Sequence, residues 1–206
     1  MKGQIVYSPA GEEIVLADIG LVELLDNPVV RVWDVSLHPG ETHPWHLHHN
    51  PYVVLSVHGS PGRMDWLDGS EPRLLNEYRG GAVYRPVSPV HRLTNIGDRF
   101  YRNRLVELKD LGELLPEPAD IGPGARSVEG ERPGPPLADG RLPVLDHPDV
   151  KVWTARAGRE LSLSGTPHVL AALDAEDVLF HPGGPLTLQG TGDWSVLELS
   201  YLNRPV

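Results

Sequence analysis

The sequence predicts an all-β protein, a sandwich or barrel built as two repeats, and three observations lead there. Helical periodicity is scarce along the 206 residues. Most apolar residues fall instead in short runs of roughly four to eight, rich in Val, Leu, Tyr and Trp and separated by Gly, Pro, Asn and Asp. Finally, a segment near the start returns in the second half with its order preserved.

The clearest strands are Val29–Leu37, Tyr52–His58, Gly62–Leu67, Ala82–Arg85 and Phe100–Leu108. Such spacing is that of all-β sandwiches and barrels. Short helical pieces are expected only around Leu21–Leu25 and Leu108–Leu115. Both faces of Tyr52–His58 are largely apolar, so one lines a core and the other requires a cover. That cover is expected from a pseudo-dimer of the two repeats or from a homodimer.

The stretch EPADIGPGARSVEGERPGPPLADG, beginning at Glu117, is dense in Pro and Gly and nearly lacks large apolar side chains. It cannot offset its ordering entropy by burial, so it reads as a linker or long surface loop. Three segments follow: an N-terminal barrel over 1–115, a linker over 116–140 and a second repeat over 141–206. The repeat itself is DNPVVRVW ending at Trp33 against DHPDVKVW ending at Trp153. A Gly followed by a charged residue comes next in each, at Gly40-Glu41 and Gly158-Arg159, and Val106–Leu108 is echoed by Leu197–Leu199. Two matches in the same order favour duplication. The second copy is short, so strands from Gln4–Asp18 are expected to complete it.

Composition narrows the function. A formal net charge of −10 argues against nucleic acid and anionic membranes as partners. There is no cysteine, so any metal must be held by nitrogen or oxygen. Without a signal-peptide pattern or a membrane-spanning apolar run, a cytoplasmic location is expected.

Five of the ten histidines lie between His38 and His49. Side chains two apart on a strand share a face, so His46 and His48 project together, with His43, Trp45 and His49 facing the other way. Two converging imidazoles suit Fe, Mn, Ni or Zn. A bare His-x-His is common, and its frame adds the specificity. Gly40, five residues, His46-Leu-His48, three residues, Tyr52, six residues and Gly59 form one block. Gly80, five residues, Pro86-Val-Ser88, two residues, His91, three residues and Asn95 form a second.

These blocks resemble the two motifs of the cupin superfamily, over roughly Val29 to Leu108. The resemblance implies a double-stranded β-helix, or jelly roll, with His46, His48 and His91 holding one divalent transition metal. It further implies a bicupin, with a degenerate C-terminal cupin as its second repeat. There Ser162 and Ser164 stand near the ligand positions and Leu186 near that of His91, so no metal is expected.

Two departures stand out. Ser88 replaces the motif's Gly, and Tyr52 replaces its metal-ligating Glu. The set then resembles the three-histidine centres of some cupin dioxygenases, which favours Fe(II), with Zn, Mn or Ni open for a lyase or isomerase. Tyr52 is the candidate catalytic residue, as phenolate ligand, hydrogen-bond partner or proton-transfer group, with packing as the plain alternative. Arg102, Arg104, Trp45 and His58 are candidate substrate-binding residues, with outward-facing ion pairs the preferred reading of the two arginines. A protein that binds a small ligand without turning it over is the reading from another class.

Overall fold

The computed structural model describes residues 2–86, 88–113 and 124–203. The chain divides into two compact units, the first comprising 1–78 and 85–124 and the second 79–84 and 125–206. In chain order the first eleven strands are β1 (Ile5–Tyr7), β2 (Glu13–Val15), β3 (Val22–Asp26), β4 (Val30–Leu37), β5 (Thr42–His46), β6 (Tyr52–His58), β7 (Pro61–Trp66), β8 (Arg73–Asn76), β9 (Ala82–Arg85), β10 (His91–Asn95) and β11 (Tyr101–Leu108). Then follow β12 (Ala125–Arg126), β13 (Leu142–Asp146), β14 (Lys151–Arg156), β15 (Glu160–Ser162), β16 (His168–Ala172), β17 (Val178–His181), β18 (Pro185–Thr187) and β19 (Asp193–Glu198). Among the described residues the helical pieces are 3₁₀ turns at Lys109–Leu111 and Ser200–Asn203. None is long and apolar enough to cross a membrane.

In the first unit, β6, β11, β4 and β3 are neighbours in that order, and β5, β10, β7 and β8 form a second antiparallel sheet. Inward side chains of both sheets enclose one interior: Val35, Val54 and Leu105 from the first, Met64, Leu75 and Leu93 from the second. This is a jelly roll. Apolar burial at roughly 25 cal/mol per Å² drives its closure. Glycine serves it at two motif positions. Gly40 turns the chain between β4 and β5 with φ at 81°, a left-handed conformation costly for other residues. At Gly59 a Cβ would lie 2.1 Å from the Glu77 carbonyl oxygen, so only glycine admits that approach.

The second unit repeats the plan. Its sheet runs β13-β14-β19-β16-β17, beside a β15–β18 pair. Asp26 faces Arg31 in the first hairpin, and Asp146 faces Lys151 in the second. Glu107 pairs with Arg31 and Tyr52, as Glu198 pairs with Lys151 and His168. Trp153, Leu161, Leu163, Leu170, Leu188, Trp194 and Val196 fill this core.

Several expectations change. Leu21–Leu25 is largely strand β3, because Glu23 and Leu25 pair with Trp33 and Val32. Tertiary pairing here overrides a weak helical pattern. The segment Leu108–Leu115 holds the end of β11 and one 3₁₀ turn, and its last two residues lie outside the described ones. Of the expected linker, 116–123 is likewise outside, while Ala125–Arg126 pairs with Tyr84 and Val83. The strands within Gln4–Asp18 pair with each other as β1–β2 inside the first unit. The second unit draws instead on 79–84 from the first half of the chain.

Candidate metal centre

His46 ends β5 and His91 opens β10, and the two are cross-strand partners. His48 follows two residues after β5. One ring nitrogen from each of His46, His48 and His91 can be chosen so that all three lie within 4.8 Å of one another. All three residues are buried. Their ring centroids are 4.3 Å apart for His46 and His91, 5.1 Å for His46 and His48, and 5.2 Å for His48 and His91.

The two outer rings are aimed by the same device. His46 Nδ1 lies 2.7 Å from the Pro44 carbonyl oxygen and His91 Nδ1 2.7 Å from that of Pro89, each two residues back. A carbonyl only accepts, so each Nδ1 carries the proton and each Nε2 keeps its lone pair. The Nδ1 of His48 is buried without a hydrogen-bond partner among the described residues. Such an orphaned nitrogen is costly unless something else occupies it.

Burial lowers the basicity of all three. It holds His46 well below the ordinary imidazole range, helped by repulsion from His91 and His43. His48 is likewise well below, by burial and then by His46, His91, His43 and Arg85. Burial brings His91 to about 4 against the opposing pull of the Pro89 carbonyl. The rings are therefore neutral at physiological pH, the state a metal ligand needs. Three buried neutral imidazoles, one with an orphaned nitrogen, fit a divalent transition metal.

Tyr52 is buried and stacks on His48, with centroids 4.0 Å apart and planes 18° from parallel. Its hydroxyl is 3.0 Å from Ser88 Oγ. The Tyr52 phenol and the Ser88 hydroxyl are therefore bonded to each other inside the cavity wall.

Two interior residues escaped the sequence reading. His43 lines the cavity, although simple alternation turns it outward. On β5 three residues separate His43 from His46, while two on β10 separate their partners Leu93 and His91. This bulge resets the alternation. His43 Nε2 is 3.0 Å from the Asp18 carbonyl oxygen. Glu77, one residue past β8, is the other. Its Oε2 accepts from Ser56 Oγ at 2.9 Å and from the Tyr101 hydroxyl at 3.0 Å, and Asn103 Nδ2 donates onward to that hydroxyl at 2.6 Å. A Glu in a loop gives no periodic signal.

The remaining candidates lie elsewhere. Tyr101, Asn103 and Leu105 line the cavity, so Arg102 and Arg104 project from the opposite face of β11. Both are paired with Asp34, Arg102 at 2.7 Å and Arg104 in a fully buried contact. His58 is exposed at the far end of β6. Trp45, inside the bulged stretch, stacks under the Arg92 guanidinium at 4.8 Å. None of the four lines the cavity. In the second unit His168 occupies the place of Tyr52, with Nδ1 2.7 Å from the Thr166 carbonyl and Nε2 3.5 Å from Glu198. Among the described residues no second group of potential ligands accompanies it.

No family model matches the chain, and no curated protein matches its sequence. Solved structures do match. A salicylate 1,2-dioxygenase variant from Pseudoaminobacter salicylatoxidans superposes with a TM-score of 0.52 at 14% identity, over 85% of this chain and 72% of that one. Oxalate decarboxylase from Bacillus subtilis gives 0.54 at 12%, over 84% and 69%. Vicilin from hazelnut, Corylus avellana, gives 0.55 at 8%, over 84% and 76%. The fold is a cupin fold. At such identities the likeness establishes architecture alone, and the cupin interior acquires its chemistry from its own side chains.

Proposed function

We propose that the protein is a metal-dependent cupin enzyme in which His46, His48 and His91 hold one divalent transition metal. Its substrate is a small oxygenated molecule, and Fe(II)-dependent dioxygenation is the favoured reaction. The observation that carries this reading is the convergence of three buried, neutral imidazoles with no carboxylate in the ligand set. Support comes from the proteins of like fold, which include an oxygenase named for salicylate and a decarboxylase with Mn(II) centres.

When bound, the metal supplies Lewis acidity and, as iron, a one-electron couple for O2. The chain's own groups do the rest. The carbonyls of Pro44 and Pro89 hold two rings in one tautomer and orientation. Tyr52 braces the His48 ring from one side and is itself fixed by Ser88. Glu77, bonded by Ser56 and Tyr101, is the carboxylate of the cavity and the group suited to accept a substrate proton. Burial of the walls keeps bulk water from the reacting atoms.

The test is reconstitution of metal-free protein under anaerobic conditions with Fe(II), Mn(II), Ni(II) or Zn(II), followed by O2-uptake assays on small diketones, hydroxy acids and aminophenols. Iron-dependent O2 consumption is the expected result. Turnover without O2 on Zn, Mn or Ni would make the protein a lyase or isomerase. Failure to bind any of the four metals would leave a ligand-binding barrel and refute the proposal.

A further inference from the structure

The metal cavity has a volume of about 40 Å³, room for an ion and a water-sized ligand. Small-molecule sites usually require several hundred Å³. A second cavity of about 520 Å³ lies beside it. Ile19 lines both. Leu105 and Glu107 share one face of β11, and Val35, Trp33 and Arg31 share one face of β4, so the same inward faces run from the first cavity into the second. Leu47, His49 and Asn50, flanking His48, form another wall. The larger cavity, or mouth, borders the histidine cavity along these walls.

Its charge is one-sided. Among the described side chains, Asp18, Glu23, Glu107 and Glu113 line it against Lys2 and Arg31. Including the next ionic partners, Asp26 and Lys109, leaves the same excess of two negative charges. Arg31 is divided among four carboxylates, so its one charge leaves theirs in excess. It lies 3.0 Å from Glu113, 3.5 Å from Asp26, 3.6 Å from Glu107 and 3.7 Å from Glu23. The other lining cation, Lys2, is 72% exposed and bonded to Asp18, whereas the Glu107 side chain is 4% exposed. Water therefore screens the lysine far more than the glutamate. Glu107 is also held in place, accepting from Trp33 Nε1 at 2.8 Å and from Asn50 Nδ2 at 3.0 Å. The Oδ1 of Asn50, a residue 3% exposed, has no hydrogen-bond partner among the described residues. A fixed carboxylate, an indole and an unmet acceptor at one mouth are features that bind an organic cation.

We infer that this mouth selects a small molecule bearing a protonated amine, recognised by Glu107 with Trp33 beside it, and rejects carboxylates of the same shape. This rests on the metal-dependent reading only in placing the amine-bearing substrate next to the three histidines.

The experiment titrates benzylamine, benzoate and benzyl alcohol, three probes of one shape and different charge, into metal-free and Zn(II)-loaded protein by calorimetry at neutral pH and low salt. Benzylamine should bind at least about tenfold more tightly than the other two and weaken as salt rises. Glu107→Gln should remove most of that preference. Should Glu107→Gln fail to fold, Glu23→Gln combined with Glu113→Gln tests the same field from the exposed rim and should lower the preference severalfold. Benzoate binding as tightly as benzylamine, benzyl alcohol matching benzylamine, or no binding of any probe would overturn the inference. Metal stoichiometry is read on the same samples. Amine preference without metal sinks the enzyme reading and leaves the mouth, and metal without amine preference does the reverse.

Discussion

Acidification of the metal-free protein should destabilise it between pH 6.5 and about 4, and the magnitude follows from the burial of the histidine cluster. His91 titrates near 6.5 in the unfolded chain and at about 4 when folded. Above the unfolded value both states hold the ring neutral, and it contributes no pH dependence. As pH falls through the window, the unfolded chain takes up a proton that the folded protein refuses, so stability is lost with acid and levels off below about 4. At 1.36 kcal/mol per unit, His91 alone amounts to about 3 kcal/mol. His46 and His48 are shifted in the same direction and add to the slope. Glu107, raised by burial, acts oppositely: its folded form gains a proton first, which offsets part of the loss. The assay is urea unfolding of wild type and His91→Leu from pH 7.5 to 4. The absolute cost of the substitution cancels, because the reading is how the difference between the two changes with pH. Wild type should lose about 3 kcal/mol relative to the variant across the window. A difference independent of pH would show that His91 is not held neutral by burial, and the account of the cluster would fail.

Further outcomes follow from the same geometry. Tyr52→Phe and Ser88→Ala should each cost on the order of 1 kcal/mol and couple by a similar amount in a double-mutant cycle, with metal content unchanged. Additive effects would mean that the bond between them contributes nothing. Asp34→Ala removes the carboxylate paired with fully buried Arg104 and should cost about 3–5 kcal/mol in a denaturation midpoint analysis, leaving metal affinity as it was. Leu170→Ala, in the fully buried core of the second unit, should cost about 2–5 kcal/mol.

The strands and the convergence of His46, His48 and His91 were legible because they rest on local pattern. Tyr52–His58 and Ala82–Arg85 end where their apolar runs end. The Pro44-Trp-His46 and Pro89-Val-His91 spacings carry the carbonyl that aims each ring. What escaped depends on partners distant in the chain. The bulge that turns His43 inward arises from a mismatch between β5 and β10, which neither strand shows alone. Glu77 reads as an ordinary charged loop residue until Tyr101 and Ser56 are brought to it. The similar Asp-x-Pro hairpins were visible, yet the matching places of Tyr52 and His168 emerge only from the ladders that pair each with a Glu.

The most direct test of the central claim is metal stoichiometry. Wild type, His46→Ala and His91→Ala are each reconstituted with Fe(II) or Co(II) under anaerobic conditions, desalted and analysed by mass spectrometry for metal per chain. About one metal per wild-type chain and none in either variant, with all three folded by circular dichroism, is the predicted result. Metal-free wild type, or variants that retain the wild-type metal content, would contradict the three-histidine centre.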